Sequence, residues 1–512
     1  MREISHERIE QTRQDILDTI CALNLTHEQK ISALANHAVS LMEVLNYPKN
    51  YEYYKEKGII CDLNEGNAPV RPRYIVPDYE LLFEKGCEFL KLDPPYDLDE
   101  ALNTLLIFYK NVPSVTNFPV FIGSLDKLLE PFVIKTDYEK AKKSIKLFLT
   151  HIDRTITDAF CHANIGPYNT VTGRIIIELE RELQNAVPNL TLKYDENITP
   201  DDFAAEAVKT LLAVSKPAFA NNSMFSRELG DNYAIASCYN GLLKGGGSYT
   251  LVRILLGRLA ETAESIEDFF NNKLPDAIET MAAVIDERIR FIVEDSNFFE
   301  YNFLSKEGFI SKDNFSAMFG IVGLAECVNT LMEKDGQTGR YGHSEEADNL
   351  AIRIMDSIDN FNSNHVSKYC LGTDKRILLH GQVGIDTDSG QTPTVRIPIG
   401  DEPAELSDHL MHCSKFHKYF PSGTGDIFPV ETTANLNPEF VLDIIKGAFR
   451  NQVRYLTFHD SNADVIRVTG YLVKRSELEK LDKGEAVLQN TTAFGLGAAK
   501  KSKILERKHV NI

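Results

Sequence analysis

Two residues in this 512-residue chain have a type and setting that suggest chemistry, and they lie far apart in sequence. The first is Gly470, inside Val465-Ile466-Arg467-Val468-Thr469-Gly470-Tyr471-Leu472-Val473. The flanking residues are apolar and β-branched and predict a strand, whereas glycine weakens a strand interior. A β-bulge or a close-packing glycine would explain it structurally. Chemically, one reaction requires glycine here: a backbone radical on the α-carbon is delocalised over the flanking amides only if the centre is planar, and any side chain would crowd that plane. The second residue is Cys238, in Asp231-Asn232-Tyr233-Ala234-Ile235-Ala236-Ser237-Cys238-Tyr239-Asn240-Gly241. A cysteine after an apolar run is commonly a small buried hydrophobe. It is also the side chain that a stable carbon radical can convert into a reactive thiyl.

The two segments together resemble the glycyl radical enzymes. The first is similar to their Arg-Val-small-Gly-Tyr loop, and the second to the cysteine hairpin of pyruvate formate-lyase, whose second cysteine falls on Cys238 and whose first falls on Ser237. The length and C-terminal sequence are similar to the YjjI-type group. The resemblance implies a ten-stranded α/β barrel of two five-stranded halves, with a cysteine loop and a glycine loop meeting at its centre. Gly470 would store the radical, Cys238 would abstract hydrogen from a small-molecule substrate, and Arg467 and Tyr471 would support the glycyl loop. The implied cofactor is the glycyl radical itself, with no tightly bound metal. The iron–sulfur cluster and S-adenosylmethionine belong to a partner, a radical S-adenosylmethionine activase. A homodimer is among the assemblies the resemblance allows.

Departures from the known subfamilies narrow the reaction. Ser237 replaces the cysteine that carries an acyl group, and serine is a weaker nucleophile. Asn240 stands where radical dehydratases place a glutamate base, so a dehydratase would need another carboxylate, Glu431 or Asp426. No cysteine follows Cys413, so the four-cysteine zinc site of the anaerobic ribonucleotide reductases is absent. The expected activity is therefore a lyase-type cleavage of unassigned substrate. The alternatives are a ribonucleotide-reductase-like or dehydratase-like radical enzyme and, in another class, a non-catalytic glycyl radical carrier. The 231–241 segment favours the enzyme, because a carrier needs no cysteine loop. Ser237, Tyr239, Asn240, His417 and Glu431 are the candidate substrate contacts, and Cys370 and Cys413 are alternative thiyl residues.

The elements that must position these residues can be read coarsely. The sequence divides into a mainly helical part over 1–190, a barrel over 191–454 and a glycyl loop region over 455–512, all within one domain. Helices are predicted over 7–23, 97–109, 138–160 and from Pro200 to about Val214; strands are predicted over 189–194, 456–459 and 465–474. The residues 249–263 read as a helix after a glycine-rich connection, Lys244 to Ser248. Residues 377–399 read as two strands joined by a turn at Asp386–Gly390. Hydrophobic content of 43% and charged content of 25% fit a globular protein. A net charge of −19 argues against nucleic-acid or anionic-membrane partners. Eight scattered cysteines, a charged N-terminus and no long apolar run lead to the expectation of a reduced, cytoplasmic protein.

Overall fold

The strand Gly246–Leu255 explains the centre of the molecule. All ten of its residues are buried, so its run of Leu251, Val252, Ile254 and Leu255 is apolar on both faces, as expected for a strand covered on each side. Periodicity alone suggested a helix over 249–263. The structure has a strand as far as Leu255 and a short helix, Leu256–Glu261. Continuous burial removes the alternation that would have distinguished the two. The glycines before it serve close backbone approach: a Cβ on Gly246 would lie 2.0 Å from the Asn314 carbonyl oxygen, and one on Gly247 2.1 Å from that of Tyr74.

The computed structural model describes residues 4–63, 65–381, 390–430, 432–459 and 463–501. In chain order the strands are β1 (Ile60–Cys61), β2 (Tyr74–Val76), β3 (His162–Ile165), β4 (Asn189–Tyr194), β5 (Ala218–Asn221), β6 (Tyr233–Ala236) and β7 (Asn240–Leu243). They continue with β8 (Gly246–Leu255), β9 (Phe315–Val322), β10 (Leu378–Gly381), β11 (Asp426–Pro429), β12 (Tyr455–His459), β13 (Val465–Arg467) and β14 (Leu472–Lys474). Ten of these form two five-stranded sheets, β1-β8-β9-β10 with β2 also on β8, and β11-β12-β5-β4-β3. These are the two halves expected, and they draw strands from both sides of the 191–454 stretch.

Amphipathic helices cover the sheets. Tyr138–Thr155 buries Ala141, Ile145, Phe148, Leu149 and Ile152 at helical spacing, with Asp137 capping its first turn by accepting from the Lys140 amide. No helix among the described residues is long and apolar enough to cross a membrane. Of the two strands expected over 377–399, only β10 forms; Pro393 makes an isolated bridge to Val322. The turn expected at Asp386–Gly390 falls, but for Gly390, outside the described residues. The β6–β7 and β13–β14 pairs belong to neither half-barrel.

Candidate active site

Cys238 sits in the tip of the β6–β7 hairpin, where Ala236 pairs with Asn240 and three residues make the turn. Ser237 holds φ +60°, a left-handed conformation that costs a non-glycine residue energy and persists only where its surroundings fix it. Those surroundings are visible. The Ser237 amide donates to the Val120 carbonyl at 3.1 Å, and the Ser237 carbonyl accepts from His162 Nδ1 at 3.0 Å and Asn189 Nδ2 at 3.4 Å. Further back, the Asn164 side chain both donates to and accepts from the Ile235 backbone at 2.8 Å. Lys193 Nζ donates to the Tyr233 carbonyl at 2.6 Å. On the far side, Tyr455 donates to the Cys238 carbonyl at 3.2 Å, and a Cβ on Gly423, at φ +114°, would stand 2.0 Å from the Tyr239 carbonyl oxygen.

Gly470 lies in the tip of the second hairpin. Arg467 pairs with Leu472, the Val468 amide donates to the Tyr471 carbonyl at 3.0 Å, and Thr469 and Gly470 make the turn. The glycine that seemed misplaced in a strand is therefore a turn residue, and it is buried. Its carbonyl accepts from Asn189 Nδ2 at 3.0 Å and Arg467 Nη1 at 3.2 Å. Arg467 Nη2 in turn donates to Asn189 Oδ1 at 2.9 Å and the Ser215 carbonyl at 3.1 Å. Tyr471 is fully buried, with its ring 5.1 Å from that of Phe160.

The two tips therefore meet at one amide group. Asn189 Nδ2 is within 3.4 Å of the carbonyl before Cys238 and 3.0 Å of the carbonyl of Gly470. Asn189 starts β4, and the same strand face continues with Thr191 and Lys193. Thr191 donates to His162 Nε2 at 2.7 Å and lies 3.1 Å from the Tyr455 hydroxyl. The three polar residues thus contact, in order, the meeting point of the tips, the network beneath the cysteine and the start of its hairpin.

Burial governs the electrostatics. It pushes the Cys238 thiol up to about 11, against smaller opposing effects of the Tyr239 amide and of Arg467, Arg396 and Arg73. Cys238 is thus a neutral S–H at neutral pH, and it donates to Asn240 Oδ1 at 3.2 Å. Burial lowers His162 to about 3. The neutral ring carries its hydrogen on Nδ1, because the Ser237 carbonyl can only accept, and Nε2 takes the Thr191 hydroxyl hydrogen. His380 is likewise lowered to about 3 by burial; its Nδ1 donates to the Ser422 carbonyl at 3.3 Å, leaving Nε2 buried with no partner among the described residues.

The remaining expected residues fall into place as follows. Tyr239 and Asn240 follow Cys238 in the hairpin, and the Ser237 side chain lies beside the Tyr74 hydroxyl. His417 accepts from the Arg454 amide at 3.0 Å, which gives that ring nitrogen a structural partner. Glu431 lies outside the described residues. Asp426 is desolvated, yet His409 and Arg396 hold its carboxyl below the usual range, so it is a charged and weakly basic group. Cys413 donates to Asp426 Oδ2 at 3.3 Å. Cys370 donates to Ser367 Oγ at 3.5 Å. Neither cysteine stands in a hairpin tip. His409, Cys413 and Asp426 bring three ligand-type atoms within 4.8 Å of one another. Arg396 Nε lies 3.7 Å and His409 Nε2 3.5 Å from Asp426, so the three form a buried polar cluster around that carboxylate.

The sequence reading did not single out His162, Asn164, Asn189, Thr191, Lys193, Tyr455 or His380. A signal for some of them was present: Asn189, Thr191 and Lys193 put three polar groups on one face of a wholly buried strand. A buried strand face carries such groups when something polar lies against it.

Comparison with known structures places this architecture among the glycyl radical enzymes. The anaerobic ribonucleotide reductase of Thermotoga maritima in complex with dATP and CTP superposes with a TM-score of 0.68 at 14% identity, covering 94% of this chain and 99% of that one. A glycyl radical enzyme from Archaeoglobus fulgidus superposes with a TM-score of 0.56 at 14% identity, covering 79% of this chain and 68% of that one. At that identity the likeness concerns the fold. Sequence comparison is more specific: the family model "Glycyl radical enzyme YjjI-like" matches residues 25–510. The chain is 42% identical over 505 residues to the uncharacterized protein YjjI of Escherichia coli K12, covering 98% of this chain and 97% of that one. It is 47% identical over 501 residues to an uncharacterized protein of Haemophilus influenzae, covering 97% of each. The chain belongs to the YjjI-like family of glycyl radical enzymes.

Proposed function

We propose that Gly470 stores a backbone radical and that Cys238 relays it to a small-molecule substrate. The observation that carries this reading is the Asn189 amide held between the two hairpin tips. In the relay the Gly470 α-carbon radical takes the hydrogen atom of the Cys238 S–H bond, giving an α-C–H and a thiyl. The thiyl then takes a hydrogen atom from a substrate C–H, restoring S–H and leaving a substrate radical. Each step exchanges one hydrogen atom, so no external oxidant is consumed. The thiol's raised pKa suits this chemistry, because hydrogen-atom transfer needs S–H, whereas a conventional nucleophile needs the thiolate. Burial of both tips keeps water and oxygen from the radical.

Glycyl radical enzymes depend on an activase, and here a radical S-adenosylmethionine partner would abstract hydrogen from Gly470. Because Gly470 is buried, activation requires the segment from Val465 onward to leave the barrel. A lyase-type cleavage fits best. The Ser237 hydroxyl has no base against it among the described residues, so thioester-style acyl transfer is disfavoured, and Asn240 binds the thiol without being able to accept a proton.

The relay can be tested without knowing the substrate. Anaerobic activation should give an electron paramagnetic resonance doublet from the remaining α-hydrogen of Gly470. In D2O that doublet should collapse to a singlet as Cys238 passes solvent deuterium to the α-carbon. Cys238→Ala should keep the doublet and lose the collapse. Equal collapse in the variant would transfer the thiyl role to Cys370 or Cys413.

A further inference from the structure

The ground around the Cys238 thiol is cationic and short of partners. Two buried arginines, Arg467 on the Gly470 carbonyl and Arg396 on the Gly425 carbonyl, and the part-buried Arg73 act on it, and their counter-charges are incomplete. Arg73 Nη1 pairs with Glu65 at 3.0 Å, but Glu65 also answers Arg288 at 3.3 Å. Arg396 faces Asp426 only at 3.7 Å and spends its Nε on the Gly425 carbonyl at 2.8 Å. Arg467 has no carboxylate within ion-pair distance among the described residues, and its bonds go to neutral oxygens. Buried charge of one sign is costly unless an opposite charge meets it.

Orphaned polar atoms sit in the same place. The Tyr239 hydroxyl, Asn240 Nδ2 and His380 Nε2 are all buried with no hydrogen-bond partner among the described residues. The rings of Tyr239 and His380 are 5.7 Å apart, and Asn240 binds the thiol itself. Buried polar atoms are nearly always paired in a native site, so three around one hairpin tip, one of them on the residue that binds the thiol, indicate a ligand. Two are donors. The third is an acceptor, because the Ser422 carbonyl fixes the His380 hydrogen on Nδ1.

We propose that the substrate is a small hydroxylated anion, a carboxylate or phosphate ester whose charge lies against Arg396 and Arg73 and whose hydroxyl hydrogen reaches His380 Nε2. This rests on the radical reading of the same site and gives its substrate a chemical class. The charge satisfies the arginines, Tyr239 and Asn240 supply donors to its oxygens, and the hydroxyl satisfies the one bare acceptor. A neutral diol would leave the shared Glu65 and the distant Asp426 as the counter-charges of Arg73 and Arg396, and an anion without a hydroxyl would leave His380 unanswered.

Binding to the full, unactivated chain tests this without any radical, so its failure is distinct from failure of the doublet experiment. Isothermal titration with lactate, propanoate, lactamide and glycerol 3-phosphate separates charge from hydroxyl and carboxylate from phosphate. Lactate or glycerol 3-phosphate should bind at least about tenfold more tightly than lactamide, and lactate should exceed propanoate by a similar factor, since an unmet buried polar group discriminates strongly. Arg396→Gln should erase the preference for acid over amide, and Arg396→Lys should retain part of it. His380→Phe should erase the preference for lactate over propanoate and spare the charge preference. Arg73→Gln replaces Arg396→Gln should that variant fail to fold. Equal binding of lactamide and lactate, or no binding by either hydroxylated anion, overturns the proposal.

Discussion

The two hairpins that carry Cys238 and Gly470 are alike in form and opposite in how they are held. Each is a two-stranded ribbon outside the half-barrel sheets, and each buries its reactive residue in the tip. The cysteine ribbon is fastened along its length by side chains from β3, β4 and β12: Asn164 on Ile235, His162 and Asn189 on Ser237, Lys193 on Tyr233, and Tyr455 on Cys238. The glycine ribbon is tied to the barrel near its tip by Asn189 and through Arg467, and at its entry by the Ser215 hydroxyl on the Val465 carbonyl at 3.0 Å. Beyond it, the chain docks through Asn490 on the Thr157 carbonyl and Gln489 on that of Asp153. The difference indicates which loop is built to stay and which to leave. In the proposed relay, the thiol that would meet substrate in fixed geometry is anchored along its whole ribbon, and the glycine that would visit an activase is held at its tip and entry by Asn189, Arg467 and Ser215.

The largest expected effect breaks the pair outright. Admitting oxygen to activated protein should cut the backbone at Gly470 and release residues 471–512, seen as a shortened chain in mass spectrometry. Gly470→Ala should show neither doublet nor cut, and Cys238→Ala should show both. Next, Asn164→Ala leaves the buried Ile235 N–H and C=O unpaired, at about 1–3 kcal/mol for each group. Denaturant unfolding should record that loss. Removal of the shared contact by Asn189→Ala should slow deuterium exchange of the doublet by about tenfold or more, since small misplacement of reacting groups is costly in rate. It should do so without preventing radical formation.

Smaller effects sharpen the contrast. Ser215→Ala removes one hydrogen bond, worth about 1 kcal/mol, so amide exchange over 465–474 should rise a few-fold while 233–243 stays protected. The pH dependence should be flat. The folded thiol pKa is raised to about 11 from an ordinary 9.0, so S–H is fully populated below the ordinary value and is lost only as pH rises through the folded one. Doublet collapse in D2O should therefore be constant from about pH 6 to about pH 9, where a thiolate-dependent reaction would climb about tenfold per unit below its pKa.

The family and the fold of two five-stranded halves were legible in the sequence, because the segments around Gly470 and Cys238 carry a specific resemblance. Gly470 and Cys238 stood out as single letters in short loops, and the barrel of two halves followed from the resemblance those loops carry. The helix expected at 249–263 failed where burial on both faces of β8 erased periodicity. The contacts that join the loops were less visible, since His162, Asn189 and Tyr455 are ordinary residues in ordinary strands whose role arises only when distant segments converge. Glycine at 470 was read as an anomaly within a strand; its place in a two-residue turn depends on pairing that composition does not reveal.

The polar face of β4 has one more consequence. Because the carbonyl ahead of the thiol and the carbonyl of the glycine both rest on the same Asn189 amide, any thermal displacement of that strand moves both together. Such motion is common to the two tips and cancels in the gap between them. In the proposed relay, hydrogen-atom transfer would be steeply sensitive to that gap, so a shared anchor would let the barrel vibrate as a whole while the separation of the two tips is held.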